Sequence, residues 1–135
     1  MLKNFFKLAL LSVPIMSSLS ASALAADMNG AWAMEASSCS KVFVKNNEKI
    51  SFAPNADLYG GGFIVEGNRA SGTFQKCNIQ SRKDDGTSIH LTAACSDGTM
   101  IQEMKFAVKF LGVDQITLTL VEQQSIETTF VRCRM

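Results

Sequence analysis

Histidine is nearly missing from this chain: His90 is the only one in 135 residues. A histidine metal site or a Ser/His/Asp triad would have to be assembled around that single ring. Clustered basic charge is missing too. The 13 Lys and Arg are matched by 12 Asp and Glu, with no block of either sign. That excludes the electrostatic footprint of a nucleic-acid binder and the polybasic cluster of a membrane-surface protein. There is no CxxC pair, although structural zinc sites usually bring their ligands in short-spaced pairs. No apolar run approaches the ~20 residues of a spanning helix. Beyond residue 25 a helical hydrophobic period is not sustained anywhere.

What is present begins with an export signal. Lys3 and Lys7 supply a positive leading region, and Leu8 to Met16 form a short apolar stretch interrupted by Ser12 and Pro14. A small, polar segment then leads into Ala23-Leu24-Ala25, the small-x-small pattern that signal peptidase requires. The expected products are a leader over residues 1–25 and a single domain over residues 26–135. The first cysteine, Cys39, lies well beyond the cleavage region, so no lipoprotein anchor is expected. Cleavage removes two lysines and leaves 110 residues with a net charge of −1, a size that suits one domain. The expected location is the periplasm or the exterior, without a stable membrane anchor.

All four cysteines, Cys39, Cys77, Cys95 and Cys133, remain after cleavage. An even count in a small exported domain reads as two disulfides, each worth about 2–4 kcal/mol. Three pairings are open on the count alone.

Alternation with period two dominates the remainder. Met100, Gln102, Met104, Phe106, Val108 and Phe110 alternate with Ile101, Glu103, Lys105, Ala107 and Lys109, the pattern of a strand with one buried face. Ile89, Leu91, Ala93 and Cys95 share a face in the preceding run, and Ile116, Leu118 and Leu120 alternate with threonines in the following one. Other β runs are expected at Lys41–Lys45, at Ile50–Phe52, at Phe63–Val65, from Arg69 towards Arg82, and at about Ile126 to Cys133. Turn signals separate them: Asn46-Asn47, Pro54-Asn55-Ala56-Asp57, Gly67-Asn68, Lys83-Asp84-Asp85-Gly86 and Ser96-Asp97-Gly98. About eight strands at this spacing predict an all-β fold. Successive hairpins close most simply as a small antiparallel up-and-down barrel, which removes exposed sheet edges. Closure sets the last strand beside the first and favours Cys39–Cys133. The Asp84-Asp85-Gly86 hairpin likewise brings Cys77 and Cys95 to the same end of two neighbouring strands.

Gly30-Ala31-Trp32, with Arg132 and Arg134 near the C-terminus, resembles the GxW…Arg framework of lipocalin-like barrels. The resemblance implies that an arginine from the chain end lies across the first-strand tryptophan and closes the barrel bottom. Periplasmic inhibitors of metalloproteases and some lysozyme inhibitors share this plan of a small, disulfide-bearing barrel. Gly30-Ala31-Trp32, Cys39, the run Gly62 to Arg69, Cys77, Cys95 and Arg132-Cys133 are also similar to small exported proteins of alphaproteobacteria. That similarity implies an exported disulfide-bonded domain and brings no catalytic residues.

Other candidate residues read as structural. Gly60-Gly61-Gly62 leads into an apolar β run rather than a helix N-terminus, so it marks a bulge or a close approach of backbones rather than a phosphate cradle. His90 shares the polar face with Ser88 and Thr92. Met100 and Met104 are expected in the core, whereas Ile101, Leu111 and Val121 fall on the outer face, where a contiguous group would mark an interface. No catalytic residue, metal or cofactor is expected. The expectation is a non-catalytic binding module, an inhibitor or accessory factor acting on an exported enzyme or envelope component. The alternative is a carrier of a small apolar ligand, although the many large apolar side chains predict a filled interior.

Overall fold

The computed structural model describes residues 27–135, together with Pro14; apart from Pro14, the expected leader and its expected cleavage site lie outside the described residues. Among them, ten strands form: β1 (Gly30–Ala33), β2 (Phe43–Asn46), β3 (Lys49–Phe52), β4 (Gly62–Glu66), β5 (Arg69–Gly72), β6 (Lys76–Asp84), β7 (Ile89–Ser96), β8 (Ile101–Gly112), β9 (Gln115–Leu120) and β10 (Glu127–Arg132). Eight of them close into an antiparallel barrel in the order β1-β10-β9-β8-β7-β6-β5-β4. Both long-range seams involve β1, which pairs with β10 through Trp32↔Arg132 and with β4 through Gly30↔Val65 to Ala33↔Gly62. The all-β, up-and-down barrel expected from the hairpin pattern is the observed fold.

Between β1 and β4 the chain leaves the barrel. A 3₁₀ turn (Ala36–Ser38), the helical turn α1 (Cys39–Val42), the β2–β3 hairpin and a second 3₁₀ turn (Ala56–Tyr59) pack on its outside. The expected β run at Lys41–Lys45 is therefore helical up to Val42. Val42 and Phe43 are adjacent and both fully buried; a continuous strand would send them to opposite faces, and the change from helix to strand points both inward. The strand expected from Arg69 towards Arg82 is likewise two strands, joined by a turn in which the Gly72 N–H donates to the Gln75 carbonyl at 2.7 Å. The hairpin turn near Asn46-Asn47 is centred one residue later, on Asn47 and Glu48, both with positive φ.

This excursion creates two cores. Inside the barrel, Trp32, Val65, Ile89, Leu91, Val108 and Ile116 are buried with Met28. Outside it, Val42, Phe43 and Ala56 cover Ala31, Ala33 and Ile64 on the outer face of β1 and β4. Both disulfides have the nested pairing: Cys39–Cys133 spans 94 residues and fixes the excursion to the end of β10, and Cys77–Cys95 joins directly opposed residues of β6 and β7. In the chain-entropy account the longer loop is worth about 4–5 kcal/mol and the shorter about 3 kcal/mol.

Gly62 shows the close backbone approach expected of the triple glycine. A Cβ there would run into the Trp32 carbonyl oxygen and press on the Phe43 ring at 3.1 Å. Backbone cannot yield as a flexible side-chain tip does. Gly62→Ala is expected to cost at least about 3 kcal/mol, read as a fall in the urea midpoint. An unchanged midpoint would contradict the β1–β4 packing.

Candidate functional site: the open end of the barrel

Barrel strands have two ends, and an arginine cap seals one of them. At the sealed end the Arg132 guanidinium lies 4.4 Å from the Trp32 ring centroid. Its Nε donates to Asp114 Oδ1 at 3.1 Å, one Nη donates to the Asn29 carbonyl, and the other donates to the Asp27 and Val113 carbonyls at 2.6 and 3.2 Å. One side chain thus ties the segment before β1, the β8–β9 turn and the core tryptophan together. Trp32 Nε1 donates to the Met28 carbonyl at 2.8 Å, leaving no buried polar side-chain atom unpaired among the described residues. Gly30 suits the start of β1 because its φ is +128°, a conformation that side-chain-bearing residues rarely adopt. Arg134 points the same way and donates to Asp114 Oδ2 at 2.9 Å, which with the Arg132 charge holds the Asp114 carboxyl below its ordinary range.

Inside, the barrel is filled unevenly. Trp32, Phe63, Phe110 and Phe130 form an aromatic cluster, with Phe63 stacked on Trp32 at 6.3 Å and meeting Phe130 edge-on at 5.0 Å. Along the wall of β5 to β7 the inward positions include Ala70, Gly72 and Ala93, which are too small to reach across. A cavity of about 170 Å³ remains there, lined also by Leu91, Phe106 and Leu118 and by one polar side chain, Gln75. The filled interior expected from composition is therefore only partly realised. The Cys77–Cys95 bridge faces this space, since Cys77 lines it and is paired directly with Cys95.

The other end carries exposed apolar side chains on its connecting segments. Leu58 is 74% exposed and Phe74 73%, with Tyr59 and Met34 nearby. Their segments touch: Gly60 faces the Met34 sulfur and Gly61 faces Thr73. Met100 on the β7–β8 turn, Ile101 at the start of β8 and Ile126 before β10 extend the group around the rim. Met100 is 66% exposed, which corrects its expected core position: the Asp97 turn holds it outside the strand. Met104 lies on the inner face and accepts a contact from Gln75 Nε2 at 3.4 Å. Of the three outer apolar residues singled out by alternation, Ile101 and Val121 lie towards this end and Leu111 belongs to the sealed one, so they do not form one patch. The rim residues Leu58, Phe74 and Ile126 escaped strand periodicity because they sit in turns; their signal was a large apolar side chain where a turn is usually polar.

The residues with chemical potential stay apart from this rim. His90 Nε2 lies 3.0 Å from Asp85 Oδ2, both half-exposed near the sealed end. Asp85 is already engaged by the Ser88 and Thr87 backbone N–H groups and the Thr87 hydroxyl. This is a turn lock with a histidine attached. No group of three or more His, Cys, Asp or Glu among the described residues is arranged to hold a metal. Compared with protein-family models, curated proteins and solved structures, the chain matches none. Among the described residues no helix is long and apolar enough to cross a membrane.

Two outcomes are expected. Arg132→Lys keeps the charge but loses the planar fork, and should cost about 2–3 kcal/mol of unfolding free energy; a variant as stable as the parent would show that the fork does not hold this end. The second concerns acid. Asp97 accepts from the Thr99 and Met100 N–H groups and the Thr99 hydroxyl, and its pKa is lowered to about 2 by these bonds, Thr99 N–H first. Asp85 is held lower still, mainly by Ser88 N–H and then His90. Carboxyls depressed in the folded state bind protons more readily when unfolded, so their stabilisation is present above an ordinary Asp pKa of about 4 and fades below it. The melting temperature should be insensitive to these two groups from pH 7 to 5 and fall between about pH 4 and 2. Asp97→Asn should flatten part of that fall.

Proposed function

We propose that the chain is exported to the periplasm or beyond and acts there as a non-catalytic binding module, an inhibitor or accessory factor that grips an exported enzyme or envelope protein with the open end of its barrel. The observation that carries this reading is the gathering of exposed apolar side chains on the segments around that end. Scattered apolar exposure is ordinary, but a group of large side chains on neighbouring loops is the form of an interaction surface. A rigid scaffold supports it: the two disulfides and the sealed far end reduce the ordering that docking would otherwise cost. Disulfides also fit an oxidising compartment.

A second reading has an observation of its own. The 170 Å³ apolar cavity is similar in size to engineered cavities that take up benzene, so the barrel would instead carry a small apolar molecule.

One experiment separates them. Oxidised protein and its Leu58→Ser/Phe74→Ser variant are used to capture partners from envelope extract, and the eluates are examined by native mass spectrometry. Docking through the rim predicts a protein retained by the parent and reduced at least tenfold by the variant. Retention of the same protein by both forms would sink the rim reading. A small molecule carried equally by both, without a protein partner, would establish the carrier.

A further inference from the structure

A groove runs along the outside of the barrel and reaches the rim at Ile101. One bank is β3 and the other is the outer face of β4 to β7, enclosing about 710 Å³. All four residues of β3, Lys49 to Phe52, line it in succession. Side chains of one strand alternate between faces, so four consecutive lining residues mean that the edge of the strand borders the groove.

That edge is unpaired. Among the described residues β3 has a single ladder partner, β2, in an isolated two-stranded sheet. The phase of the ladder says which groups are left over. Asn46 and Lys49 flank a two-residue turn, and at the other end the Ala53 N–H donates to the Val42 carbonyl at 2.8 Å. The inward-bonding positions on the return strand are therefore Lys49, Ser51 and Ala53, and the N–H and C=O groups of Ile50 and Phe52 point to the open side. They form two donor and acceptor pairs at strand spacing, as an added antiparallel or parallel strand requires.

The opposite bank has a floor and a charge. Register places Ser71, Asn78, Ala94 and Ser96 on the outer face of the barrel. These small or short side chains leave depth for another chain. Lys49, Arg69 and Lys76 also line the groove, against a single carboxylate, Glu66. None of Lys49, Arg69 and Lys76 is in an ion pair within 4 Å among the described residues, although Glu66 stands opposite Arg69 in the β4–β5 register. An unpaired strand edge facing three cations against one carboxylate favours extended backbone carrying negative charge.

We infer that this groove is a second binding site, which takes an extended acidic segment of a partner protein as a third strand beside β3, its carboxylates meeting Arg69, Lys76 and Lys49. The backbone ladder supplies affinity and the cations supply the preference for acidic sequence. The site meets the apolar rim only at Ile101; the strand edge and the cations that define it lie outside the rim, so either reading can fail without the other.

The test pans a random octapeptide phage library on the oxidised protein from residue 26 onwards and follows with synthetic peptides of the enriched sequence. Enriched peptides should carry two or more Asp or Glu and lack proline. Their affinity should fall at least tenfold on Arg69→Glu/Lys76→Glu, and by a similar factor when alternate peptide amides are N-methylated. The second arm uses unaltered protein and so does not depend on how the variant folds. Amide NMR shifts on binding should concentrate on Lys49–Phe52. No enrichment, enrichment without acidic bias, binding unmoved by charge reversal or N-methylation, or shifts confined to the Leu58 and Phe74 rim would each overturn the assignment.

Discussion

The guanidinium of Arg132 is the joint on which the barrel closes. A β-barrel needs its first and last strands to meet, and here that seam is short: β1 has four residues, and its registered contacts with β10 are Trp32↔Arg132 and Ala33↔Val131. So short a ladder is a weak closure by itself. Arg132 strengthens it from the side-chain layer, gripping carbonyls on both flanks of the seam while covering the tryptophan ring. Arginine suits this task because its fork offers five donors in a fixed plane and its face tolerates an aromatic partner. Truncating a buried ring of this kind costs about 3–5 kcal/mol, so the cap protects the largest single contribution to the inner core.

Sealing one end decides what the other can do. The aromatic cluster, drawn from β1, β4, β8 and β10, fills one part of the barrel, and the small residues of β5 to β7 leave space beside it. The exposed apolar side chains lie mainly around the unsealed end, whereas the sealed end is occupied by ion pairs and carbonyl contacts. The outer groove adds a different chemistry on a different face, built from backbone and cations rather than from apolar loops. The excursion between β1 and β4 serves both regions: its second 3₁₀ turn brings Leu58 and Tyr59 to the rim, and its hairpin supplies the bank of the groove.

Much of this architecture was legible in the residues. Alternation along β7 to β9 is nearly unbroken because each of these strands has one face on the core, and the positions of the four cysteines follow once the strands are ordered into a closed ring. Trp32 and Arg132 were identifiable as a pair through the resemblance to lipocalin-like frameworks. The excursion was harder to read. Val42 and Phe43 are buried together, which a period-two reading cannot express, and the helical turn containing Cys39 is too short to announce itself by periodicity. The proposed binding surfaces were the least legible part. The rim residues sit in turns, outside any repeating pattern, and the groove depends on an absence, the missing neighbour of β3, that appears only when all the other strands have been placed.

The bond between Cys39 and Cys133 has a mechanical consequence. It staples a point just after β1 to a point just after β10, so every strand from β2 to β10 lies within one covalent loop. Tension applied between the two ends of the folded chain would pass through β1, across the sulfur bridge and out through the last two residues, bypassing that loop. Only β1 and its flanks could be drawn out, about 40 Å of chain at full extension for the twelve steps from Asp27 to Cys39. While the bridge is intact, force on the termini would unzip one strand and leave the rest of the barrel unloaded.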